Sequence, residues 1–267
     1  MIESSETASR LKSTLLRGGP YYSALYVMRG IVDRIRDRMD DGLTAVERKK
    51  RLIEPWTISA RRYTAADNRT LWNNYDWSNR GDEWTKGLDA EAAARWKQRI
   101  VNDLINANIP RDGVVLEVGP GGGRWTDILR TMVRKLYVVD VSDKALMLCR
   151  DRFHASSNID YLLSDGRTLA VPDQSIDAIW SFDVFVHINP QDTRGYFREF
   201  ARVLKPGGRA VIHHPGAASA GRSSAWRADT TDEMILEFCR ESGLRVVRQS
   251  TELVNDGDVL SIIDKVA

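Results

Sequence analysis

Leu116-Glu117-Val118-Gly119-Pro120-Gly121-Gly122-Gly123 is the stretch that most limits what this chain can become. Preceded by Val114 and Val115, it reads as a short buried strand, Val114 to Val118, running into a glycine-dense turn. From Arg124 onward the chain reads as a helix start, with the helix itself expected over Trp125 to Met132. Glycine is demanded there because a side chain would keep the backbone from approaching a ligand and because tight turns use positive φ. A helix N-terminus adds free N–H groups and partial positive charge, so the expected ligand has an anionic part.

Beyond this loop, strand and helix signals alternate. Strands are expected at Leu136 to Asp140, Ile159 to Leu163, Ile176 to Phe182 and Arg209 to His214, and helices at Ser142 to Phe153, Asp192 to Leu204 and Thr231 to Ser242. Strands spaced by helix-length segments must pair in parallel through right-handed crossovers, which gives a doubly wound α/β sheet. Leu244 to Gln249 and Val259 to Val266, joined by the turn-rich Asn255-Asp256-Gly257-Asp258, close the chain as an antiparallel hairpin.

The dinucleotide fingerprint G-x-G-x-x-G needs Gly or Ala at the place held by Arg124, which disfavours a nicotinamide oxidoreductase. What stands here is acidic-x-Gly-x-Gly-x-Gly, written by Glu117, Gly119, Gly121 and Gly123. This resembles motif I of the class I S-adenosylmethionine-dependent methyltransferases, over about residues 90 to 267. The resemblance implies a seven-stranded Rossmann-like sheet with a C-terminal hairpin. It also implies an S-adenosylmethionine pocket, and a division into an N-terminal helical extension or lid (1–88) and a methyltransferase domain (89–267). Asp140 lies 23 positions after Glu117 (140 − 117), where a strand-end carboxylate accepts from both ribose hydroxyls. Asp165-Gly166 stands where the family places an acceptor for the adenine amino group, and Trp125, Val141, Ser142 and Phe182 complete the expected cofactor wall. Lys205-Pro206-Gly207-Gly208 matches the family's L-K-P-G-G turn, a structural reversal. A cofactor-binding partner protein without catalysis would carry the same motifs.

Methyl transfer requires the acceptor to be aligned and water excluded, and a hydroxyl acceptor must also lose a proton. His187 lies where the family often places a histidine after the fourth strand, and its ordinary pKa suits a base. A structural histidine at the start of the next helix fits the same position. His213 and His214 end the fifth strand, and side-chain alternation lets only one of them face the pocket. Asp183 completes the candidate catalytic set. A divalent metal held by Asp183 with one of these histidines would suit a sugar methyltransferase, but no compact ligand motif indicates one. The preferred reaction is O-methylation of a sugar or natural-product hydroxyl, with N- or C-methylation as the alternative.

The first hundred residues read differently. Leu25, Met28, Val32, Ile35 and Met39 form a helical apolar stripe suited to the chain's own core, to self-association into a homo-oligomer or to a membrane surface. Glu47-Arg48-Lys49-Lys50-Arg51 reads as a solvated helix face. Trp72, Tyr75, Trp77 and Trp84 crowd a polar segment, as a lid over a ligand would or as glue between extension and core. An amphipathic helix over Asp89 to Ala107 presents Trp96, Ile100, Leu104 and Ile105 on one face. The loop of 216–230 offers Arg222, Trp226 and Arg227 to an oxygen-rich acceptor.

Charge is balanced, with 39 Lys and Arg against 37 Asp and Glu, so no broad electrostatic surface invites nucleic acid. Cys149 and Cys239 lack metal-ligand spacing and read as buried, reduced thiols. No apolar run reaches the roughly 20 residues of a membrane span. Met1 to Glu6 lack the basic-then-apolar order of a signal, so a cytoplasmic protein is expected.

Overall fold

A computed structural model describes residues 63–77, 79–82, 89–220, 227–254 and 257–266. The stripe from Leu25 to Met39, the charge run at 47–51, Trp84, Arg222 and Trp226 lie outside the described residues. Ser59–Ala267 form one compact unit.

Seven strands build one sheet: β1 (Val114–Val118), β2 (Lys135–Asp140), β3 (Ile159–Leu163), β4 (Ile176–Ser181), β5 (Leu204–Pro215), β6 (Leu244–Ser250) and β7 (Asp258–Lys265). Their order is β3-β2-β1-β4-β5-β7-β6. The first five pair in parallel, and β7 runs antiparallel between β5 and β6. The sheet is thus doubly wound with a C-terminal hairpin, as the alternation of signals requires. Because the strand order reverses between β1 and β4, their C-terminal ends leave the crevice where such sheets bind ligands.

The helices are α1 (Ala65–Asn74), α2 (Ala90–Arg99), α3 (Thr126–Leu129), α4 (Asp143–Arg152), α5 (Pro190–Val203) and α6 (Asp232–Ser242). Central strands read as nearly continuous apolar runs because both faces are covered. Leu116, Val138, Ile179 and Val211 are buried within the sheet, and Leu129, Cys149, Phe197 and Phe200 on the helices. Both cysteines are free thiols and buried.

Three elements depart from their expected form. The helix at 89–107 passes from α2 into a π-helical segment, Ile100–Ile105. The wider turn brings Ile100, Leu104, Ile105 and Ile109 into the core together, which a straight α-helix would spread over a broader arc. Helix α3 is a single turn, after which Thr131 and Met132 donate to carbonyls three residues back. The dipole expected behind the glycine loop is accordingly that of one turn. Helix α5 begins two residues before Asp192, because Asn189 caps it, accepting from the Asp192 N–H at 2.8 Å, with Pro190 at the first helical position. Between β4 and β5, Ile176 faces Leu204 and Ala178 faces Arg209, so Lys205 to Gly208 bulge out at the expected turn.

Gly195 lies inside α5, and a Cβ built on it would meet nothing within 4 Å. Gly195→Ala should therefore stabilise the protein by about 0.5–1 kcal/mol through helix propensity. In differential scanning calorimetry this should raise Tm by roughly 1–4 °C.

Candidate functional site

A cavity of about 840 Å³, counting its open mouth, sits over the C-terminal ends of β1, β2 and β4. Its floor is Val118, Gly119, Pro120 and Gly121, one wall holds Val139, Asp140, Val141 and Gly166, and another holds Trp125, Phe182, Asp183 and Val184. Gly119, Gly121 and Gly123 all have positive φ (73°, 53° and 87°), so the loop's path needs glycine at these positions. Gly123 lies behind the floor, against Phe153 and Cys149.

Asp140 ends β2 with its carboxylate facing the cavity. It accepts from the backbone N–H of Ser142 at 2.9 Å, and the nearby backbone amides of Gly121 in the glycine loop and of Val141 also favour its ionised form. Burial nevertheless prevails over these donors and pushes its pKa up to about 6. Glu117 lies beneath the loop and is 1% exposed. Its Oε2 accepts from Thr126 Oγ1 at 2.7 Å, whereas Oε1 is buried with no hydrogen-bond partner among the described residues. Burial, with help from the Asp140 charge, raises this carboxyl to about 8.

Segment 63–82 covers this edge. Helix α1 is fixed by Arg69, which donates to the carbonyls of Val141 (3.1 Å) and Ser164 (2.9 Å), and by Asn73, whose Oδ1 accepts from Ser142 Oγ at 2.7 Å. Trp72 and Trp77 line the cavity. Trp77 lies so close over the loop that a Cβ on Gly121 would fall 2.6 Å from its ring, and the backbone of Arg80 and Gly81 packs against Gly122 in the same way. The aromatic segment therefore both lines the cavity and packs against the glycine loop.

Phe182 faces the cavity beside Trp125 (ring centroids 5.4 Å), at the edge of a cluster with Trp96 and Trp180. Asp183 follows it with φ 60°, a left-handed conformation uncommon for a residue with a side chain and often kept at functional sites. A histidine and an arginine flank its carboxylate. His213 Nδ1 stands 3.0 Å from Oδ1, and Arg124 Nη1 stands 3.5 Å from Oδ2. Burial alone would raise Asp183, but these partners hold it below the ordinary carboxylate range. Arg124 is itself buried, its guanidinium 5.7 Å from the ring centroids of both Trp96 and Trp125, with Nε 3.1 Å from Asp82 of the covering segment.

The candidate histidines have separate surroundings. His213 is buried behind Asp183. His214, next to it on β5, has Nε2 2.7 Å from Ser261 Oγ and Nδ1 2.8 Å from the Pro215 carbonyl. Burial lowers His214 to about 4, and it does not line the cavity. His187 lies in a buried 3₁₀ turn, its ring edge-on to Trp72 at 5.1 Å and its carbonyl accepting from Asn68 Nδ2 at 2.8 Å. Asp165 is exposed and turns its Oδ1 to the N–H groups of Arg167 and Thr168, while its neighbour Gly166 lines the cavity under Ala65. Ser142 caps α4 through Ala145. Sequence reading used Arg124 to dismiss another cofactor and overlooked it as a site residue. An arginine at the positive end of a helix, between aromatic neighbours, was the available signal.

Among the described residues no group of three or more His, Cys, Asp or Glu is arranged to hold a metal ion, and no helix is long and apolar enough to cross a membrane.

Residues 116–212, from β1 through most of β5, match the family model described as "Methyltransferase domain". Demethylmenaquinone methyltransferase of Tropheryma whipplei (strain Twist) is 38% identical over 98 residues, 37% of this chain and 40% of that protein. Malonyl-acyl-carrier-protein O-methyltransferase of Marinomonas sp. (strain MWYL1) is 28% identical over 162 residues, 58% of this chain and 59% of that protein. Geranyl diphosphate C-methyltransferase of Streptomyces coelicolor has the same fold, with a TM-score of 0.58 at 15% identity over 76% of this chain and 98% of that one. The segment holding the glycine loop, Asp140 and Asp183 is therefore methyltransferase-like, while the chain spans less than two thirds of the length of either curated relative.

Proposed function

We propose that this protein is an S-adenosylmethionine-dependent methyltransferase acting on a hydroxyl of a small molecule, a sugar or natural product. The observation that carries the reading is Asp140, a buried carboxylate that lines the same cavity as Gly119 and Gly121 of the glycine loop and is held by the Ser142 N–H at 2.9 Å. The residues present fit the cofactor. Gly119 and Gly121 let the backbone approach a ligand without side chains in the way, and Asp140 offers a paired acceptor. Val141, Gly166, Trp125 and Phe182 supply apolar walls, with Ser142 behind Asp140. When bound, S-adenosylmethionine supplies a methyl group already activated on a sulfonium. The chain's own tasks are to exclude water with Trp72 and Trp77, to orient the acceptor and to take its proton.

O-methylation is preferred because the cavity wall carries a carboxylate backed by an imidazole. Asp183 faces the cavity, and His213 Nδ1 lies 3.0 Å behind it. That placement favours the Asp183–His213 pair over His187, whose ring packs against Trp72. Among the relatives are one named for O- and one for C-methylation, so carbon acceptors stay the alternative.

Isothermal titration with S-adenosylhomocysteine should give micromolar binding to the folded protein, and the absence of heat would overturn the reading. With labelled cofactor and a cell extract, Asp183→Asn should abolish transfer that His187→Ala retains. The reverse pattern would move the base to His187.

A further inference from the structure

The cavity-facing carboxylate is one end of a buried row of charges that reaches the far side of β5. His213 Nε2 stands 3.3 Å from Asp258 Oδ2 at the start of β7, longer than a well-formed hydrogen bond but within ion-pair reach. Asp258 is 1% exposed, and its charge is balanced by Arg227, with Nη2 2.7 Å from Oδ2 and Nε 3.1 Å from Oδ1. Ser219 Oγ adds a hydrogen bond to Oδ1 at 2.7 Å. At the other end, His213 Nδ1 is 3.1 Å from the Asp183 N–H as well as 3.0 Å from Oδ1. Nδ1 thus has a partner in either state: protonated, it donates to the carboxylate, and unprotonated, it accepts from the amide.

We propose that Asp183, His213 and Asp258 form a proton relay for the acceptor, in which Asp183 takes the hydroxyl proton and Asp258 is a positioning residue acting through His213. This inference rests on the methyltransferase reading above and extends it. As the acceptor oxygen gains the methyl group, the donor's carbon–sulfur bond breaking with its electron pair left on sulfur, the acceptor's O–H bond breaks and the proton passes to a carboxylate oxygen of Asp183. From there it passes to Nδ1 of a neutral His213, leaving Asp183 ionised and the imidazolium between two carboxylates.

The ring's affinity for that proton is set by its neighbours on every side. Burial lowers it, Asp183 and Asp258 raise it, and the net result lies above the ordinary imidazole range. Arg124 and Arg227 temper the two carboxylates, His187 also faces Asp183, and His214 adjoins the ring on β5 with Asp232 beyond it. Turnover should rise as pH climbs through the His213 pKa, since only the neutral ring accepts.

The test is the ring titration of His213 in the full chain, by ¹³C–¹H spectra of histidine-labelled protein, with its signal assigned by loss in His213→Gln. The wild-type midpoint should lie above about 6.5. Asp258→Asn should lower it by at least one pH unit, and Arg227→Gln should raise it, because Asp258 then loses its competing cation. The acid limb of label transfer into extract should move the same way in each variant, with S-adenosylhomocysteine affinity kept within about twofold. A midpoint unmoved by Asp258→Asn, or shifts unaccompanied by movement of the acid limb, would overturn the relay. Failure of the wild type to bind S-adenosylhomocysteine would instead remove the functional reading, and the relay's role with it, whatever the ring titrates at.

Discussion

Asp140→Asn is expected to weaken S-adenosylhomocysteine binding about 50-fold, since charge-assisted hydrogen bonds of this kind contribute about 1.5–3 kcal/mol. The substitution keeps the shape and removes the charge. It also leaves one oxygen to serve the Ser142 N–H as well as the ligand's hydroxyls, and it puts an amide donor where the second acceptor was. The same carboxylate fixes the sign of the pH dependence. Burial places the free protein's Asp140 at about 6, and donors from the ligand favour the ionised form. Affinity should therefore be full above that value and fall as pH drops through it, by about tenfold per unit, until the bound-state pKa is reached. Titration calorimetry at pH 5 to 8 reads both effects, and Asp140→Asn should be flat over the range where the wild type slopes. Parallel slopes in the two proteins would assign the pH dependence to another group.

Periodicity in the sequence was enough to place the sheet, because each parallel strand is an apolar run with a helix-length segment after it. Val114–Val118 and Ile159–Leu163 carry the expected bounds. What periodicity could not show were local geometries decided by packing. The π turn at Ile100–Ile105 exists because four apolar side chains compete for one face, and the single turn of α3 ends where the chain must drop into β2. The candidate site divides in the same way. Residues bound to the loop by backbone logic, Gly119, Gly121 and Asp140, could be read from spacing. The pairings of Arg124, Asp258 and Arg227 could not, because their partners lie 59, 45 and 31 residues away in sequence (183 − 124, 258 − 213, 258 − 227), and Arg227, read as a contact for an acceptor, meets Asp258 instead. Asp258 read as part of a turn, yet it opens β7 fully buried, and Asp165 read as a cofactor acceptor, yet its Oδ1 holds its own turn.

Gly123→Ala should destabilise the loop through both backbone strain and collision. At φ 87° any side chain costs about 1–2 kcal/mol. The new Cβ would fall 2.6 Å from Phe153 Cε2 and 3.1 Å from Cys149 Sγ. Phe153 cannot swing aside cheaply, because its buried ring lies between the guanidinium groups of Arg130 (5.1 Å) and Arg152 (4.8 Å). Overpacking of this kind adds about 1–3 kcal/mol. The sum, about 2–5 kcal/mol, should lower Tm by roughly 5–15 °C. Gly207 provides the control, with φ 76° and nothing within 4 Å of a built Cβ, so Gly207→Ala carries the backbone cost alone. Calorimetry of both variants separates backbone strain from collision, and Phe153→Leu in the Gly123→Ala background should recover part of the loss, which a double-mutant cycle would measure. Equal destabilisation at the two glycines, with no recovery, would mean that the loop is held by φ alone. The ligand should report the same event, since a loop pushed outward at Gly123 carries Gly121 with it and takes one backbone donor away from Asp140.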